Sequence, residues 1–303
     1  MPADLLVPEL TELRREHVMG TALHVIVRGD PDAGVAACAR IDVLERRWSR
    51  FIATSDVTLL NGAGGRPLAI HPDTLLLLDR CRLAGRRTWG LFDASVLPAV
   101  RAAGYTDSYA ALDAAAVLAA HPVPSSGLAG METDGLHARL PVGVQVDPGG
   151  LGKGLAADLA AHAALGAGAS GVLVNLGGDL RAAGTPPPGG WLVDVESPFQ
   201  VGETITTLSL SAGAVATSSR THRVLGPGHH LIDPVTGAPA RSGLAQATVL
   251  AGEGWWAEAL ATAAFIGGQD LGADLVTRHG AAAILVTDSG EFISVGDLDR
   301  FRC

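Results

Sequence analysis

Three clusters of polar residues stand where this chain could do chemistry. The first is the run Val146-Asp147-Pro148-Gly149-Gly150-Leu151-Gly152-Lys153-Gly154-Leu155-Ala156-Ala157-Asp158, a glycine-rich bend that opens into a helix. Backbone N–H groups at a helix start, approached closely through Gly149 and Gly150 and supplemented by the Lys153 ammonium, suit a phosphate or diphosphate. The spacing is not that of a GxxxxGK[ST] loop, which would need Gly at 147 and Ser or Thr at 154, where Asp147 and Gly154 stand. It does not follow GxGxxG either, and taken alone the bend serves equally well as a tight strand-to-helix turn. The second cluster is Ala257-Glu258-Ala259-Leu260-Ala261-Thr262. On a helix the Glu258 carboxylate and Thr262 hydroxyl share a face and offer hard oxygens of the kind Mg²⁺ takes. As an isolated pair they read first as a solvated glutamate beside a threonine bonded back to the helix. The third joins Val215-Ala216-Thr217-Ser218-Ser219 to His229-His230-Leu231-Ile232-Asp233-Pro234-Val235-Thr236-Gly237. If His229 to Ile232 is extended, the two histidines face opposite ways and cannot easily serve one site. A histidine titrates near pH 6.5 and can handle a proton, but here each reads by itself as a satisfied, partly buried ring. Asp233 opens a Pro-containing turn, which by itself gives it a structural role.

Smaller signals accompany these. Asn175-Leu176-Gly177-Gly178-Asp179 places two glycines directly after a strand, where a ligand or another backbone can come close. In Gly90-Leu91-Phe92-Asp93-Ala94-Ser95, Asp93 either caps the next helix or holds a polar ligand group, and Met19-Gly20-Thr21 precedes the first strand.

The elements that must position these residues are mixed. Ala22 to Arg28 alternates as a strand, followed by Val35, Cys38, Ile41, Leu44, Trp48 and Phe51 at helical spacing behind a cap at Asp30. Thr74 to Arg82 and Ala110 to Ala120 read as helices, and the Pro-, Ser- and Gly-rich stretch from His121 to Gly135 reads as a loop that could divide two lobes of one 1–303 domain. Strands are expected at Val172–Asn175, Trp191–Val195, Thr204–Leu210 and Ala247–Leu250, with helices at Glu258–Phe265 and Leu271–Arg278. The stretch from Gly184 to Gly190 reads as a surface connection, and Asp288-Ser289-Gly290 as the turn of a closing hairpin between Ile284–Thr287 and Phe292–Val295. Strands gather late and helices fall between them irregularly, which predicts an α+β fold.

Composition narrows the partners. With 303 residues and 48% hydrophobic content the chain can bury a large core, and a formal charge of −9 with a pI near 5.5 argues against a nucleic-acid footprint. No apolar run approaches the about 18 residues of a spanning helix. The first fifteen residues lack an apolar leader segment, so a cytoplasmic location is expected. Cys38, Cys81 and Cys303 have neither metal-ligand spacing nor an even count, which fits structural thiols in a reducing compartment.

Taken in chain order, these segments resemble the FAD:protein FMN transferase (ApbE-like) family. The resemblance runs from Met19-Gly20-Thr21 through Trp48-Ser49-Arg50-Phe51, Ser55, Leu60-Asn61, Gly90 to Asp93, Val146 to Asp158, Asn175 to Asp179, Trp191, Thr217-Ser218, His230 to Gly237 and Ala257 to Thr262. It implies an ApbE-like α+β fold, with mixed sheets and flanking helices in two lobes around an FAD-binding cleft. It also implies Mg²⁺-dependent transfer of FMN from FAD to a Thr or Ser hydroxyl of an acceptor flavoprotein, with release of AMP. Hydrolysis of FAD to FMN and AMP, or FAD binding without catalysis, are the alternatives. By position, Glu258, Thr262 and the main-chain carbonyl of Gly152 fall on the metal-ligand places. Met19, Asp93, Ser95, Gly149, Gly150, Lys153, Asn175, Gly177, Gly178, Asp179, Thr217, Ser218 and Asp233 fall in the FAD pocket, and Lys153 and His230 on the catalytic places. Two positions depart from the family: Glu258 stands where Asp is usual, and Ser219-Arg220 where Gly and an acidic residue are common, with a shortened segment before His229. The first bears on metal affinity and the second on the surface that meets the acceptor.

Overall fold

A computed structural model describes residues 10–105, 123–221, 224–225 and 228–301. In chain order the main elements are β1 (Leu10–Val18), β2 (Thr21–Gly29), α1 (Asp32–Trp48), α2 (Asp56–Asn61), α3 (Pro72–Arg87), α4 (Leu97–Ala102) and α5 (Gly152–Gly166). There follow β3 (Ala169–Leu176), β4 (Asp179–Gly184), β5 (Trp191–Glu196), β6 (Thr204–Leu210), β7 (Gly213–Ser219), β8 (Leu244–Ala251), α6 (Gly254–Arg278), β9 (Ala282–Thr287) and β10 (Phe292–Val295). Eight strands form one sheet in the order β1-β2-β3-β4-β7-β8-β9-β10, each pairing antiparallel. The remaining two, β5 and β6, pair only with each other. The α+β expectation is met.

Period-two alternation builds the layers. Leu23, Val25 and Val27 of β2, Val172 and Val174 of β3, Ala214 and Ala216 of β7, and Ala247 and Val249 of β8 face the helices, where they pack with Ile41, Leu44 and Trp48 of α1 and Leu260 and Phe265 of α6. The alternate residues, Leu173, Leu180, Val215, Leu250 and Ile284, face the other way and meet Trp191, Val193, Val195, Leu208 and Leu210 of the β5–β6 ribbon. The middle strands of the sheet are therefore covered on both faces. The helix-side cluster draws residues from both sides of the 121–135 segment.

Three differences from the sequence reading have plain causes. Strand β1 went unseen because Thr11 to His17 is mostly charged; it is an edge strand, exposed along most of its length, where charge discourages further pairing. Helix α1 stops at Trp48, where Ser49 turns extended (ψ 121°), so Phe51 lies outside it and packs edge-to-face on Tyr105. Asp30 does accept the Asp32 N–H at 2.9 Å, two residues ahead of the first helical residue. The two helices expected at 258–265 and 271–278 lie in one run that breaks at Gly268 (φ 73°), a conformation favouring glycine. The helix expected at Ala110–Ala120 lies outside the described residues. Among the described residues no helix is long and apolar enough to cross a membrane.

Candidate functional site

The ends of β3, β4, β7 and β8, the starts of α5 and α6 and the loops after β1 and α1 enclose a cleft of about 1020 Å³. That lies at the upper end of the about 300–1,000 Å³ range of small-molecule sites. The glycine bend forms one wall. Asp147 accepts the Gly149 N–H at 2.9 Å, Pro148–Gly150 makes a short 3₁₀ turn, and α5 begins at Gly152 with no side-chain cap of its own. Asp147 is anchored by Arg50, whose buried guanidinium lies 3.2 Å from Oδ2 and 4.2 and 4.5 Å from the Phe51 and Tyr105 ring centres. A Cβ at Gly150 would meet the Phe92 ring and Thr262 Oγ1 at 3.3 Å, so the missing side chain lets the bend lie against α6.

The opposite wall is the β3–β4 turn. Asn175 Oδ1 accepts the Gly178 N–H at 2.8 Å, and Gly177 and Gly178 both have positive φ. At Gly177 a Cβ would fall 2.0 Å from Thr21 Oγ1, which makes this glycine obligatory. The turn delivers Asp179, 3% exposed, to the cleft. Met19, held at φ 51°, donates its N–H to Glu45 Oε1 at 2.7 Å on the same rim.

At the centre, Lys153 Nζ is paired with Asp179 Oδ2 and lies 2.5 Å from Glu258 Oε1. The other Glu258 oxygen accepts the Gly154 N–H at 2.7 Å, so a residue of α6 serves as the cap that α5 lacks. Burial pushes the Glu258 carboxyl above the ordinary carboxylate range and the Asp179 charge adds to this, while Lys153 and the Gly154 amide pull it back. One turn along α6, Thr262 Oγ1 lies 3.2 Å from Ser218 Oγ, and Thr217 Oγ1 lies 3.0 Å from Thr248 Oγ1.

The two histidines separate, although the strand ends at His229 and His230 stands in a bend, so the segment is not extended throughout. His229 is buried, with Nε2 3.0 Å from the Ala240 carbonyl and its ring edge-on to Phe265, and burial lowers its pKa. His230 lines the cleft.

Of the residues singled out from the sequence, Met19, Asp93, Gly149, Gly150, Gly152, Lys153, Asn175, Gly177, Gly178, Asp179, Thr217, Ser218, His230, Glu258 and Thr262 all line this one cleft. Two do not. Ser95 is buried behind Asp93, donating its N–H to Asp93 Oδ1 at 2.8 Å and accepting the Gly127 N–H. Asp233 stays in its turn, accepting the Val235 N–H at 2.9 Å and the Thr236 hydroxyl at 3.0 Å. Both lie outside the residues that line the cleft, with their oxygens bonded to local backbone and hydroxyl groups. Arg50 and Ser125 were missed. Ser125 donates to Asp93 Oδ2, a contact made across 32 residues and so invisible to local spacing.

The donors gathered here, two carboxylates and the Thr262 and Ser218 hydroxyls beside the Gly152 carbonyl's residue, are all hard oxygens. Among the described residues no three acidic, histidine or cysteine side chains cluster as a metal cage. The set fits a magnesium-like ion completed by water and phosphate, and the Lys153 ammonium marks a place between the carboxylates where positive charge is already held.

The chain is 29% identical over 298 residues to the FAD:protein FMN transferase of Rhodobacter capsulatus, covering 93% of this chain and 56% of that protein, so it spans little more than half of that relative's length. It is 27% identical over 333 residues to the FAD:protein FMN transferase of Treponema pallidum, covering 95% of this chain and 88% of the other. The crystal structure of the ApbE protein from Thermotoga maritima superposes with a TM-score of 0.85 at 27% identity, covering 97% of this chain and all of that one. A sequence profile of the ApbE family matches residues 19–285, and the chain belongs to that family.

Proposed function

We propose that the chain transfers the FMN half of FAD to a serine or threonine hydroxyl of an acceptor flavoprotein and releases AMP. The observation that carries this reading is the convergence, in one cleft, of a glycine bend, a single ammonium, two buried carboxylates and a half-buried histidine. A diphosphate repels an incoming nucleophile with its own charge, so catalysis is mostly positioning and charge neutralisation. Magnesium held near Glu258, Thr262 and Gly152 would supply positive charge against the diphosphate oxygens. Gly149 and Gly150 let the diphosphate approach the backbone, and Lys153 stabilises the charge that gathers on the departing AMP phosphate. His230 takes the acceptor hydroxyl's proton as the new O–P bond forms and the bond to AMP breaks, a role worth about 10²–10⁴-fold. Asp93, fixed by Ser95 and Ser125, orients a polar group of the ligand.

Incubation with FAD, Mg²⁺ and an acceptor carrying the family's acceptor motif tests the reading. The expected result is a covalently fluorescent acceptor band with stoichiometric AMP. AMP and free FMN with every acceptor left unlabelled would replace transfer with hydrolysis, and FAD binding without AMP would remove catalysis altogether.

A further inference from the structure

Lys153 is the only lysine in the chain; every other position among its 22 lysines and arginines is an arginine. A chain that otherwise uses arginine for positive charge keeps an ammonium at the one place where, among the described residues, two buried carboxylates meet. The side chains of Lys153, Asp179 and Glu258 are 16%, 5% and 4% exposed, and Nζ pairs with an oxygen of each acid. Without a cation between them these acids would be like charges out of water, which is costly. A divalent ion using the same oxygens would need the same space. An ammonium and a metal therefore compete for it.

The difference between the two basic side chains matters here. Arginine offers a planar fork that locks onto carboxylates, whereas lysine is a compact charge on a flexible four-carbon stem. Lysine is the side chain that can leave. The glycine bend ends three residues before it, at Gly150, and lines the same cleft, so phosphate oxygens arriving there would offer the ammonium another partner.

We infer that Lys153 is the resident counter-ion of the Asp179–Glu258 pair, and that a divalent cation enters only in exchange for it, the ammonium moving onto the phosphates of an incoming diphosphate ligand. Metal and diphosphate then bind cooperatively, and by linkage each raises the other's affinity by the same factor. The inference rests on the flavin-transferase reading only for the identity of the diphosphate; the competition concerns the chain without any nucleotide.

The test is Mn²⁺ binding to the full chain without nucleotide, followed by loss of the free-ion electron paramagnetic resonance signal. K153M is expected to bind Mn²⁺ at least tenfold tighter than the wild type, while K153R stays as weak as the wild type. Binding by K153M no tighter than wild type overturns the inference. Should K153M fail to fold, the wild type carries its own reporter, because ¹³C,¹⁵N-lysine labelling gives one side-chain amine signal. Saturating Mg²⁺ is expected to shift that signal, and ADP to lower the free Mg²⁺ needed at least tenfold. A metal that saturates the protein while the amine signal stays fixed overturns the inference, as does an ADP effect below twofold. None of these readouts requires FMN transfer, so loss of the functional reading leaves them intact.

Discussion

The starts of α5 and α6 meet the same problem and meet it differently. Each helix has a glycine with an acid four residues on, Gly154 and Asp158 in α5, Gly254 and Glu258 in α6. The glycines touch: a Cβ on Gly154 would fall 2.2 Å from the Gly254 carbonyl oxygen. Across that contact each acid caps the other helix. Asp158 accepts the N–H groups of Gly254 and Trp255 at 2.8 and 3.0 Å, and Glu258 accepts that of Gly154 at 2.7 Å. The difference lies in the second partner. Asp158 leans on another backbone amide with Arg181 3.4 Å away, while Glu258 leans on the Lys153 ammonium. A backbone amide is fixed by the helix that carries it, but a lysine head group can move. One acid is committed to holding the helices together, and the other keeps an exchangeable neighbour facing the cleft.

Substitutions can break this contrast. Glu258→Gln keeps the shape and removes the charge; FMN transfer is expected to fall about 10²–10³-fold, the scale of losing one preorganised electrostatic contact, with urea unfolding little changed. Equal losses in stability and activity would erase the distinction. Asp158→Ala is expected to do the reverse, costing about 3 kcal/mol in urea unfolding through two orphaned helix amides, with kcat per folded molecule kept within about twofold.

The pH dependence sharpens the contrast further. Burial raises the Asp158 carboxyl to about 6, against the pull of the Gly254 and Trp255 amides and Arg181. Because the folded value lies above the unfolded one, near 3.9, the folded state holds the proton more tightly. This contribution is fully present below about pH 4 and is lost as pH rises through about 6, by up to about 3 kcal/mol. The stability of wild type relative to Asp158→Asn should therefore decline between pH 4 and pH 7 in urea titrations; a constant difference would show that the carboxyl ionises without cost. The smallest effect is expected from Ser125→Ala, which frees one Asp93 oxygen: KM for FAD should rise about three- to tenfold with kcat nearly unchanged.

Much of this was legible in the sequence, for local reasons. The alternation of β2, β3 and β8 and the shared face of Glu258 and Thr262 follow from periods of 2 and 3.6 residues, and the glycine bend from its turn-forming residues. Gly268 falls in the interval left between the two expected helices. What escaped depends on distant register. Lys153 was expected to face phosphate, and its pairing with Asp179 and Glu258 joins positions 26 and 105 residues away. The reciprocal caps span about the same separation, and the Ser125 contact joins a loop to a turn. Ser95 and Asp233 were assigned to the pocket by family position, whereas the turn chemistry of Asp233 had already pointed to where its oxygens went.

The solitary lysine has a practical consequence. A protease that cuts only after lysine has one target in the entire chain, and that bond lies in the first turn of a helix whose neighbours are almost entirely buried. Cleavage into two fragments at position 153 would therefore count openings of the cleft end of the molecule, turning an ordinary gel into a clock for its breathing.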